Sequence, residues 1–484
     1  MNDVTLLKDL LTAAGIEGRA GGDTPIRGLS YDSRLVQPGD LFFAIKGAHV
    51  DGHAFLAEAA RRGAVAAVVE EDTPSPIPIV RVPSVLAAMS KLSDAFFGRP
   101  SEKLPVIGVT GTNGKTTTTF LIEDLFRARG KTCGVLGTVN YRIGNEISPA
   151  PNTTPMSLDV HRFFRDCLNR RAAAAVMEVS SHALALNRVD TVRFAVAVFT
   201  NLTQDHLDFH KTMEDYFQAK ARLFKRREPV KSAVNIDDEY GRRLAAELPS
   251  PLTYGFSPAA ALRADDPQSD LMGLRFTLRF PSGRSHAVSN NLLGRHNIQN
   301  CLSAAGAMFL YGQTEEEIVV GLNRAHAVPG RLERVDAGQP FVVAVDYAHT
   351  HDALDQVLTT LRNTGPRKLI CVFGAGGDRD KTKRPKMGAV ATTLSDRVIV
   401  TSDNPRTEDP KQIIRDIEAG IQAVGKSNYV TVENREEAIR RAIREAEAGD
   451  IVLIAGKGHE NYQIYGTQKT PFSDVEAARR ALSE

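Results

Sequence analysis

The sequence predicts an α/β protein built from three domains, with parallel sheets in the second and the third. Its 484 residues correspond to about three domains of roughly 150 residues each. From about residue 104 onward, short β-branched runs alternate with amphipathic stretches of helical length, which is the pattern of βαβ units. Turn-rich segments at residues 97–105 and 327–340 interrupt this alternation. We therefore expect domains at residues 1–103, 104–333 and 334–484.

Composition and charge are those of an ordinary globular protein. Apolar residues make up 42% of the chain, and a net charge of +2 gives no reason to expect nucleic acid or a membrane surface as a partner. The N-terminus carries Asp3, Lys8 and Asp9 and lacks the order of a signal peptide, and no apolar run reaches the roughly 18 residues of a membrane span. The cysteines are too far apart for a CxxC metal site or a disulfide framework and are Cys133, Cys167, Cys301 and Cys371. We expect a cytoplasmic protein without a membrane span.

The first two domains differ in their predicted order of elements. In the first, residues 53–70 change from helical spacing to a run of alanine and valine, which predicts a mixed α/β domain. In the second, buried strands are predicted at LPVIGVTG, AAAAVMEVSS, FAVAVFTNL and SAVNI. Helices are predicted at TTTTFLIEDLFRARG, SLDVHRFFRDCLNRR and DYFQAKARLF. The second domain should therefore be a parallel sheet covered by helices.

A phosphate-binding loop is predicted where the first of these strands meets the first helix. The segment GVTGTNGKTTTT, residues 108–119, joins a β-rich run to a helix through glycines that let backbone N–H groups approach phosphate oxygens. It departs from GxxxxGK[ST], because Val109 holds the place of the first glycine. A glycine turn with a solvated lysine is the alternative, which the strand–loop–helix context disfavours. The expected ATP-binding residues are Gly111, Thr112, Asn113, Gly114, Lys115, Thr116 and Thr117. The central domain is thus predicted to be a P-loop ATPase-type sheet.

Polar residues follow two further strands of this sheet. Glu178 ends the strand AAAAVMEVSS, and Asp205 and His206 follow FAVAVFTNL. The carboxyl ends of parallel strands share one edge of a sheet, so these groups should lie near a nucleotide-bound Mg²⁺. His206 alone could be a hydrogen-bonded structural histidine. Spacing alone predicts that Lys220 is a surface lysine on an amphipathic helix.

The third domain is predicted to be a Rossmann-like, doubly wound sheet. Strands are expected at FVVAVDYAH, KLICVFGAGG, RVIVTSD, YVTVEN and IVLIAGKG, separated by the helices HDALDQVLTTLRN, PKQIIRDIEAGI and REEAIRRAIREAEAG. FGAGGDRD is not a dinucleotide fingerprint, because Arg379 stands where the third glycine would be. The loop TSDNPRTEDP carries Arg406, which by itself reads as a solvated arginine.

Together these motifs resemble those of the Mur ligases, the cytoplasmic ATP-dependent amide-forming synthetases of peptidoglycan precursor assembly. The matching segments, in order, are LSYDSR with PGDLFFAIKG, GVTGTNGKTTTT, NTTP, EVSSHAL, NLTQDHLDFH, DYFQAKARLF, GRHNIQN, PGRLERV, VDYAHT, FGAGGDRDKTKRP, TSDNPR and AGKGHE. The resemblance implies that an amino acid is joined to UDP-N-acetylmuramoyl-L-alanyl-D-glutamate through an acyl phosphate. It also implies a monomer that binds small molecules.

The resemblance assigns metal and catalytic roles. Thr116 and Glu178 would hold one Mg²⁺, and His206 would hold a second together with Lys220, carbamylated by CO₂. A carbamate supplies the oxygen ligands that Mg²⁺ prefers. The residues implied in catalysis are Lys115, Glu178, His206 and Lys220.

Substrate contacts are also implied by the resemblance. Besides the phosphate loop, ATP would meet His296, Asn297, Arg331 and Asp346; capping of a helix N-terminus is the alternative for the first two. The UDP-sugar-peptide would meet Tyr31, Ser33, His49, Thr153, Thr154, Ser180 and Arg188; a plain turn at PNTTP and a solvated Arg188 are the alternatives. Leu186 stands where some members carry glutamine, which puts one contact in doubt.

The incoming amino acid is expected to be meso-2,6-diaminopimelate. Its pocket would contain Arg384, Asp403, Asn404, Pro405, Arg406, Gly456 and Glu460. An arginine in the DNPR loop suits this substrate, because a guanidinium holds the second carboxylate that lysine lacks by two parallel hydrogen bonds. The open alternatives are the same ligase using L-lysine, a folylpolyglutamate-type synthetase, and a P-loop ATPase acting as a switch or assembly factor.

Overall fold

The computed structural model describes residues 5–17, 22–47 and 50–484. They pack into two compact units, one formed by residues up to Leu262 with Leu302–Gly321, the other by Arg263–Cys301 with Leu322–Glu484. Within the described ranges, no helix combines the length and the apolar character needed to cross a membrane.

The first unit begins with a small parallel sheet covered by helices. The strands of this region are β1 (Thr5–Leu6), β2 (Pro25–Ile26), β3 (Gly28–Ser30), β4 (Asp40–Phe43), β5 (Ala66–Val69) and β6 (Ile79–Arg81). Its helices are α1 (Leu7–Ala13), α2 (Leu56–Arg61), α3 (Val85–Phe96) and α4 (Pro100–Lys103). Strands β3 to β6 pair in sequence order and in parallel, while β1 and β2 form a separate ribbon. All four residues of β5 are buried, as expected for a strand covered on both faces.

The larger sheet of the first unit carries the phosphate loop. Its strands are β7 (Val106–Thr110), β8 (Cys133–Leu136), β9 (Asn140–Ile143), β10 (Glu146–Pro149), β11 (Ala174–Glu178), β12 (Val196–Phe199), β13 (Lys231–Asn235) and β14 (Leu252–Gly255). The spatial order is β10-β9-β8-β11-β7-β12-β13-β14, in which the pairs β8–β9 and β9–β10 are antiparallel and the other pairs are parallel. The helices are α5 (Lys115–Ala128), α6 (Ser157–Asn169), α7 (Ser181–Ala185), α8 (Leu207–His210), α9 (Met213–Ala221) and α10 (Glu239–Glu247). Consequently the segments after β8, β11, β7 and β12 meet at one edge.

The chain then forms three antiparallel strands and two helices. These are β15 (Leu262–Asp270), β16 (Gly273–Arg279), β17 (Ser285–Asn290), α11 (His296–Tyr311) and α12 (Glu315–Asn323).

The second unit contains a doubly wound sheet. Its strands are β18 (Glu333–Val335), β19 (Val342–Asp346), β20 (Leu369–Phe373), β21 (Arg397–Val400), β22 (Tyr429–Thr431) and β23 (Ile451–Ala455), followed by the hairpin β24 (Tyr462–Tyr465) and β25 (Gln468–Pro471). Its helices are α13 (His351–Arg362), α14 (Lys383–Leu394), α15 (Pro410–Ala423), α16 (Arg435–Glu445) and α17 (Asp474–Ser483). The order is β18-β19-β23-β20-β21-β22, with β18 alone antiparallel. Separate apolar clusters cover its two faces.

The α/β class with parallel sheets is confirmed, and each strand and helix predicted after residue 104 is present. The elements that sequence patterns did not predict include β8, the β9–β10 hairpin, α10, β14 to β17, α14, the β24–β25 hairpin and α17. Helix α14, with the sequence KRPKMGAVATTL, lacks an apolar stripe, which explains why helical periodicity did not predict it. The domain boundaries at residues 103 and 333 stay a prediction.

Candidate active site

The phosphate loop is a turn between β7 and α5 that is hydrogen-bonded to the segment after β12. Gly111 has φ +151° and lies so close to Thr200 that a Cβ atom would overlap its hydroxyl. Thr200 Oγ1 donates to the Asn113 carbonyl at 2.6 Å, and the Asn113 N–H donates to Asn201 Oδ1 at 2.9 Å. The loop therefore has a preformed backbone conformation at a helix N-terminus, which suits an anion.

Two lysines bond to the same carbonyl of this loop. Lys115 Nζ donates to Gly111 O at 2.8 Å and to Thr112 O at 2.7 Å, and Lys220 Nζ donates to Gly111 O at 2.8 Å. Lys220 is 1% exposed, so the surface position predicted from spacing is wrong. Burial, together with the positive charge of Lys115, holds the pKa of Lys220 well below its usual value. The lowered pKa favours the neutral amine of Lys220 over its ammonium form.

Glu178 is a fully buried carboxylate at the end of β11. Its Oε2 accepts hydrogen bonds from Thr116 Oγ1 and Thr138 Oγ1, each at 3.0 Å, and its Oε1 accepts one from the Thr138 N–H at 2.8 Å. The structure thus brings together two of the predicted magnesium ligands, Thr116 and Glu178. The sequence analysis did not identify Thr138, although this residue follows the carboxyl end of β8, the strand beside β11, where ligand-facing groups are expected.

His206 lies farther out on the same edge. Its side chain is 47% exposed, and its Nε2 is 3.4 Å from Asp205 Oδ2. Its ring centroid is 4.9 Å from that of His182 and 6.1 Å from that of Tyr216, over which Lys220 Nζ lies at 4.6 Å. In the part of the chain that the structure describes, no three His, Cys, Asp or Glu side chains are grouped as a metal site. A cation would thus also need oxygens from threonine, substrate or a modified lysine.

The NTTP segment lies directly beside Glu178. Thr153 Oγ1 is 3.1 Å from Thr138 Oγ1, and Thr154 Oγ1 donates to the Glu178 carbonyl at 2.8 Å and accepts the Ser180 N–H at 3.0 Å. Arg188 Nη1 donates to the Thr154 carbonyl at 2.8 Å, and burial lowers the pKa of Arg188. Four residues predicted for the sugar-peptide therefore form one network, and Arg188 is not the solvated cation of the alternative interpretation.

The remaining predicted sugar-peptide residues come from the first hundred residues. Tyr31 OH donates to Asp159 Oδ2 of α6 at 2.7 Å. Burial, and to a smaller extent this hydrogen bond, raises the pKa of Tyr31. Ser33 is buried, with its Oγ 3.5 Å from Glu58 Oε2. His49 lies outside the described residues.

In the second unit, Asp346 and Arg331 are neighbours. Asp346 Oδ2 accepts the Leu332 N–H and Oδ1 accepts the Ala348 N–H, both at 2.8 Å. Burial raises the pKa of Asp346, and the charge of Arg331 opposes that rise. The Arg331 guanidinium also lies 5.1 Å over the Tyr347 ring. Arg331 and Asp346, which are both predicted to contact the nucleotide, are thus neighbours on either side of the predicted domain boundary at residue 333.

His296 and Asn297 start helix α11. Asn297 is buried; its Nδ2 donates to Leu293 O at 2.7 Å, and its Oδ1 accepts from Asn300 Nδ2 at 2.8 Å. The Asn297 side chain therefore stabilises the helix start by local bonds, and contact with adenine stays a prediction for both residues.

The predicted amino-acid pocket lies at the carboxyl ends of three neighbouring strands, β20, β21 and β23. Asp403, Asn404 and Pro405 after β21 are buried. Arg406 follows with φ +54°, a left-handed conformation that is strained for arginine, and its Nη1 donates to Gly377 O at 2.7 Å. After β23, Gly456 has φ +119°, and a Cβ there would lie 2.7 Å from Asp403 Oδ2. The loop therefore turns Arg406 back toward the segment after β20.

Arg384 is placed differently from its neighbours. It is fully buried, and its guanidinium donates to Glu408 Oε1 and Oε2 and to Asp416 Oδ2 at 2.9 to 3.0 Å. Direct contact between Arg384 and substrate stays a prediction, but these carboxylates already accept hydrogen bonds from both Nη1 and Nη2. Arg379 was not among the predicted pocket residues. It is exposed, and its Cγ and Arg406 Nη1 both lie beside Gly376. Its signal was the GGDRD loop at the end of a parallel strand.

Comparisons with known proteins agree with this layout. Residues 25–96 match the model of the Mur ligase family, catalytic domain; residues 109–308 match the Mur ligase middle domain; and residues 330–458 match the Mur ligase, glutamate ligase domain. The chain is 48% identical to the UDP-N-acetylmuramoyl-L-alanyl-D-glutamate–2,6-diaminopimelate ligase of Gloeobacter violaceus, covering 99% of this chain and 98% of that one. It is 47% identical to the ligase of the same name from Geobacter metallireducens, covering 96% of each. A solved structure with that name superposes with a TM-score of 0.74 at 34% identity and covers 99% of each chain.

Proposed function

The chain belongs to the Mur ligase family, and we propose that it joins meso-2,6-diaminopimelate to UDP-N-acetylmuramoyl-L-alanyl-D-glutamate, with conversion of ATP to ADP and phosphate. This is a cytoplasmic step of peptidoglycan precursor synthesis. The observation that carries the amino-acid assignment is the left-handed Arg406, held beside Gly376 in a pocket that also contains the Glu460 carboxylate. Two relatives named as 2,6-diaminopimelate ligases, 47–48% identical over nearly the whole chain, support this assignment.

The reaction forms an amide in two steps. A carboxylate oxygen of the D-glutamyl residue attacks the γ-phosphorus of ATP, so that an acyl phosphate forms and ADP leaves. The amine of diaminopimelate then attacks the acyl carbon, loses a proton, and inorganic phosphate leaves from a tetrahedral intermediate. Attack of a carboxylate on a polyphosphate requires neutralised charge and alignment. Lys115 and the N–H groups of the phosphate loop would supply both.

The side chains around Glu178 fit a magnesium ion. Thr116 and Glu178 offer a hydroxyl and a carboxylate whose oxygens are 3.0 Å apart, and such hard oxygen ligands suit Mg²⁺. A second ion would be held by His206 and a carbamylated Lys220. Bound magnesium would lower the charge repulsion between the carboxylate and the phosphates.

Carbamylation of Lys220 is supported by its surroundings. The reaction joins the neutral amine to CO₂ and releases one proton, so it needs a lysine that is unprotonated. Burial and Lys115 lower the pKa of Lys220, which raises the neutral fraction. The new carboxylate would form beside Lys115, whose positive charge would stabilise it.

Substrate binding follows the order of the chain. We propose that residues 1–103, through Tyr31 and Ser33, hold the UDP-sugar with the help of Thr153, Thr154, Ser180 and Arg188. Arg331 and Asp346 would contact the nucleotide, and the third domain would hold diaminopimelate. The exposed Arg379 would supply a second guanidinium for the carboxylates of diaminopimelate. Action as a monomer stays a prediction, which light scattering would test.

An assay of amide formation tests the proposal. The purified protein is given ATP, Mg²⁺ and the UDP-dipeptide with diaminopimelate, L-lysine or L-ornithine, and ADP and the UDP-tripeptide are measured. We expect ADP release only when all substrates are present, and product with diaminopimelate alone. ADP release at full rate without an amine would favour an ATPase switch, and product from a folate and glutamate would favour a folylpolyglutamate synthetase.

A further inference from the structure

Lys457 is a buried cation that the reaction described above does not use. It lies after β23 in AGKGHE and is 0% exposed. Its Nζ donates to Asn404 Oδ1 at 3.1 Å and to Glu460 Oε2 at 3.3 Å. Burial lowers the pKa of Lys457, and the carboxylates of Asp403 and Glu460 oppose that effect. A buried ammonium is costly unless it is paired, so its two partners determine what the residue contributes.

The lysine and one backbone N–H together determine which way the Asn404 amide points. Asn404 Oδ1 accepts both Lys457 Nζ and the Ile464 N–H, the latter at 3.0 Å. An ammonium only donates, so the amide oxygen must face it and the amide nitrogen must face away. Asn404 Nδ2 accordingly donates to Glu460 Oε2 at 2.9 Å. The amide is thus locked in one of its two orientations.

The same contacts orient Glu460. Its Oε2 accepts two donors, Lys457 Nζ and Asn404 Nδ2, whereas its Oε1 accepts none from the described residues. The side chain is 18% exposed, so solvent or a ligand reaches it. A carboxylate with one oxygen anchored and the other open is suited to bind an ammonium group.

We propose that Lys457 is a positioning residue for recognition of the ammonium at the far end of the amino acid, acting through Asn404 and Glu460. The inference rests on the proposed function, because it assumes a diaminopimelate pocket. Without Lys457, the Ile464 N–H alone would hold the Asn404 oxygen, and Glu460 Oε2 would keep Asn404 Nδ2 as its one donor among the described residues. The carboxylate would then be less firmly fixed in the orientation that faces the ligand. The guanidinium of Arg406 would still hold the far carboxylate, so loss of Lys457 should affect one end group only.

A comparison of two amino acids tests this assignment. Diaminopimelate carries an ammonium and a carboxylate at its far end, whereas 2-aminopimelate keeps the carboxylate and lacks that ammonium. Replacement Lys457→Met preserves length and removes both hydrogen bonds. We expect KM for diaminopimelate to rise about tenfold or more, KM for 2-aminopimelate to change less than about twofold, and KM for ATP to stay constant.

Several outcomes separate this inference from its alternatives. Equal loss with both amino acids would indicate a merely structural lysine and overturn it, as would an unchanged preference for diaminopimelate. If Lys457→Met does not fold, Lys457→Gln retains one donor and should show a smaller loss confined to diaminopimelate. Glu460→Gln should reproduce the loss, and adding Lys457→Met to it should cost little more. A parent protein that never couples ATP to diaminopimelate would refute the proposed function itself.

Discussion

Replacing Arg406 by alanine should lower kcat/KM for diaminopimelate about 100-fold and leave ATP binding unchanged. The guanidinium commits Nη1 to the Gly377 carbonyl at 2.7 Å, and the described residues supply no partner to Nε or Nη2. That open edge matches a carboxylate by two parallel N–H···O bonds. The substrate carboxylate is therefore expected to take both donors.

The magnitude follows from these two bonds. Hydrogen bonds to charged groups contribute about 1.5–3 kcal/mol each. Arg406 is partly exposed, so solvent screening favours the lower end, about 3 kcal/mol for the pair. At about 1.4 kcal/mol per factor of ten, this corresponds to about 100-fold in kcat/KM.

The assay measures amide product at varied diaminopimelate with ATP and UDP-dipeptide saturating. Arg415→Ala is the matched control, because Arg415 on α15 is 56% exposed and bonds only to Gln412 and Asp409 among the described residues. A loss below about threefold for Arg406→Ala, or an equal rise in the KM for ATP, would refute the reasoning.

Three further perturbations probe other parts of the molecule. Lys220→Arg should abolish most of the ligase activity, since a guanidinium does not form the carbamate. Intact-mass measurement of the parent protein in bicarbonate should show one added CO₂. A Lys220→Arg variant with full activity would contradict the assignment. Arg435 and Asp474 form a fully buried ion pair with two hydrogen bonds of 2.7 Å. Arg435→Met should therefore lower the free energy of unfolding, measured by urea titration, by about 3–5 kcal/mol, because it leaves a buried carboxylate unpaired. The double variant Arg435→Met with Asp474→Leu should regain most of that lost stability. Burial raises the pKa of Asp94 from 3.8 to about 6, so its contribution to stability is present below pH 3.8 and is lost as the pH rises through about 6. Asp94→Asn should therefore raise stability at pH 7 by about 1 kcal/mol relative to parent and flatten the melting temperature between pH 4 and 7, after a discount for partial exposure; a parallel pH profile in the two proteins would contradict this.

Local patterns in the sequence were sufficient for the elements and the loops. Alternation of β-branched runs with amphipathic stretches reports strands and helices, since both depend on near neighbours in the chain. The phosphate loop, Glu178 at a strand end and the DNPR turn were all readable in this way. Ligand-facing loops follow the carboxyl ends of parallel strands, so their shared edge was predictable as well.

Pairings between distant residues were decided only by the tertiary structure. The order β8-β11-β7 differs from the order along the chain, and it alone places Thr138 against Glu178. Burial of Lys220 depends on how α9 packs on the phosphate loop, which helical spacing does not report. The orientation of Glu460 depends on a lysine and an asparagine from two strand ends, 53 residues apart. By itself the sequence determined which elements form and which loops carry the chemistry; the contacts that orient each side chain needed the packed sheets, because hydrogen-bond partners are set by distance in space.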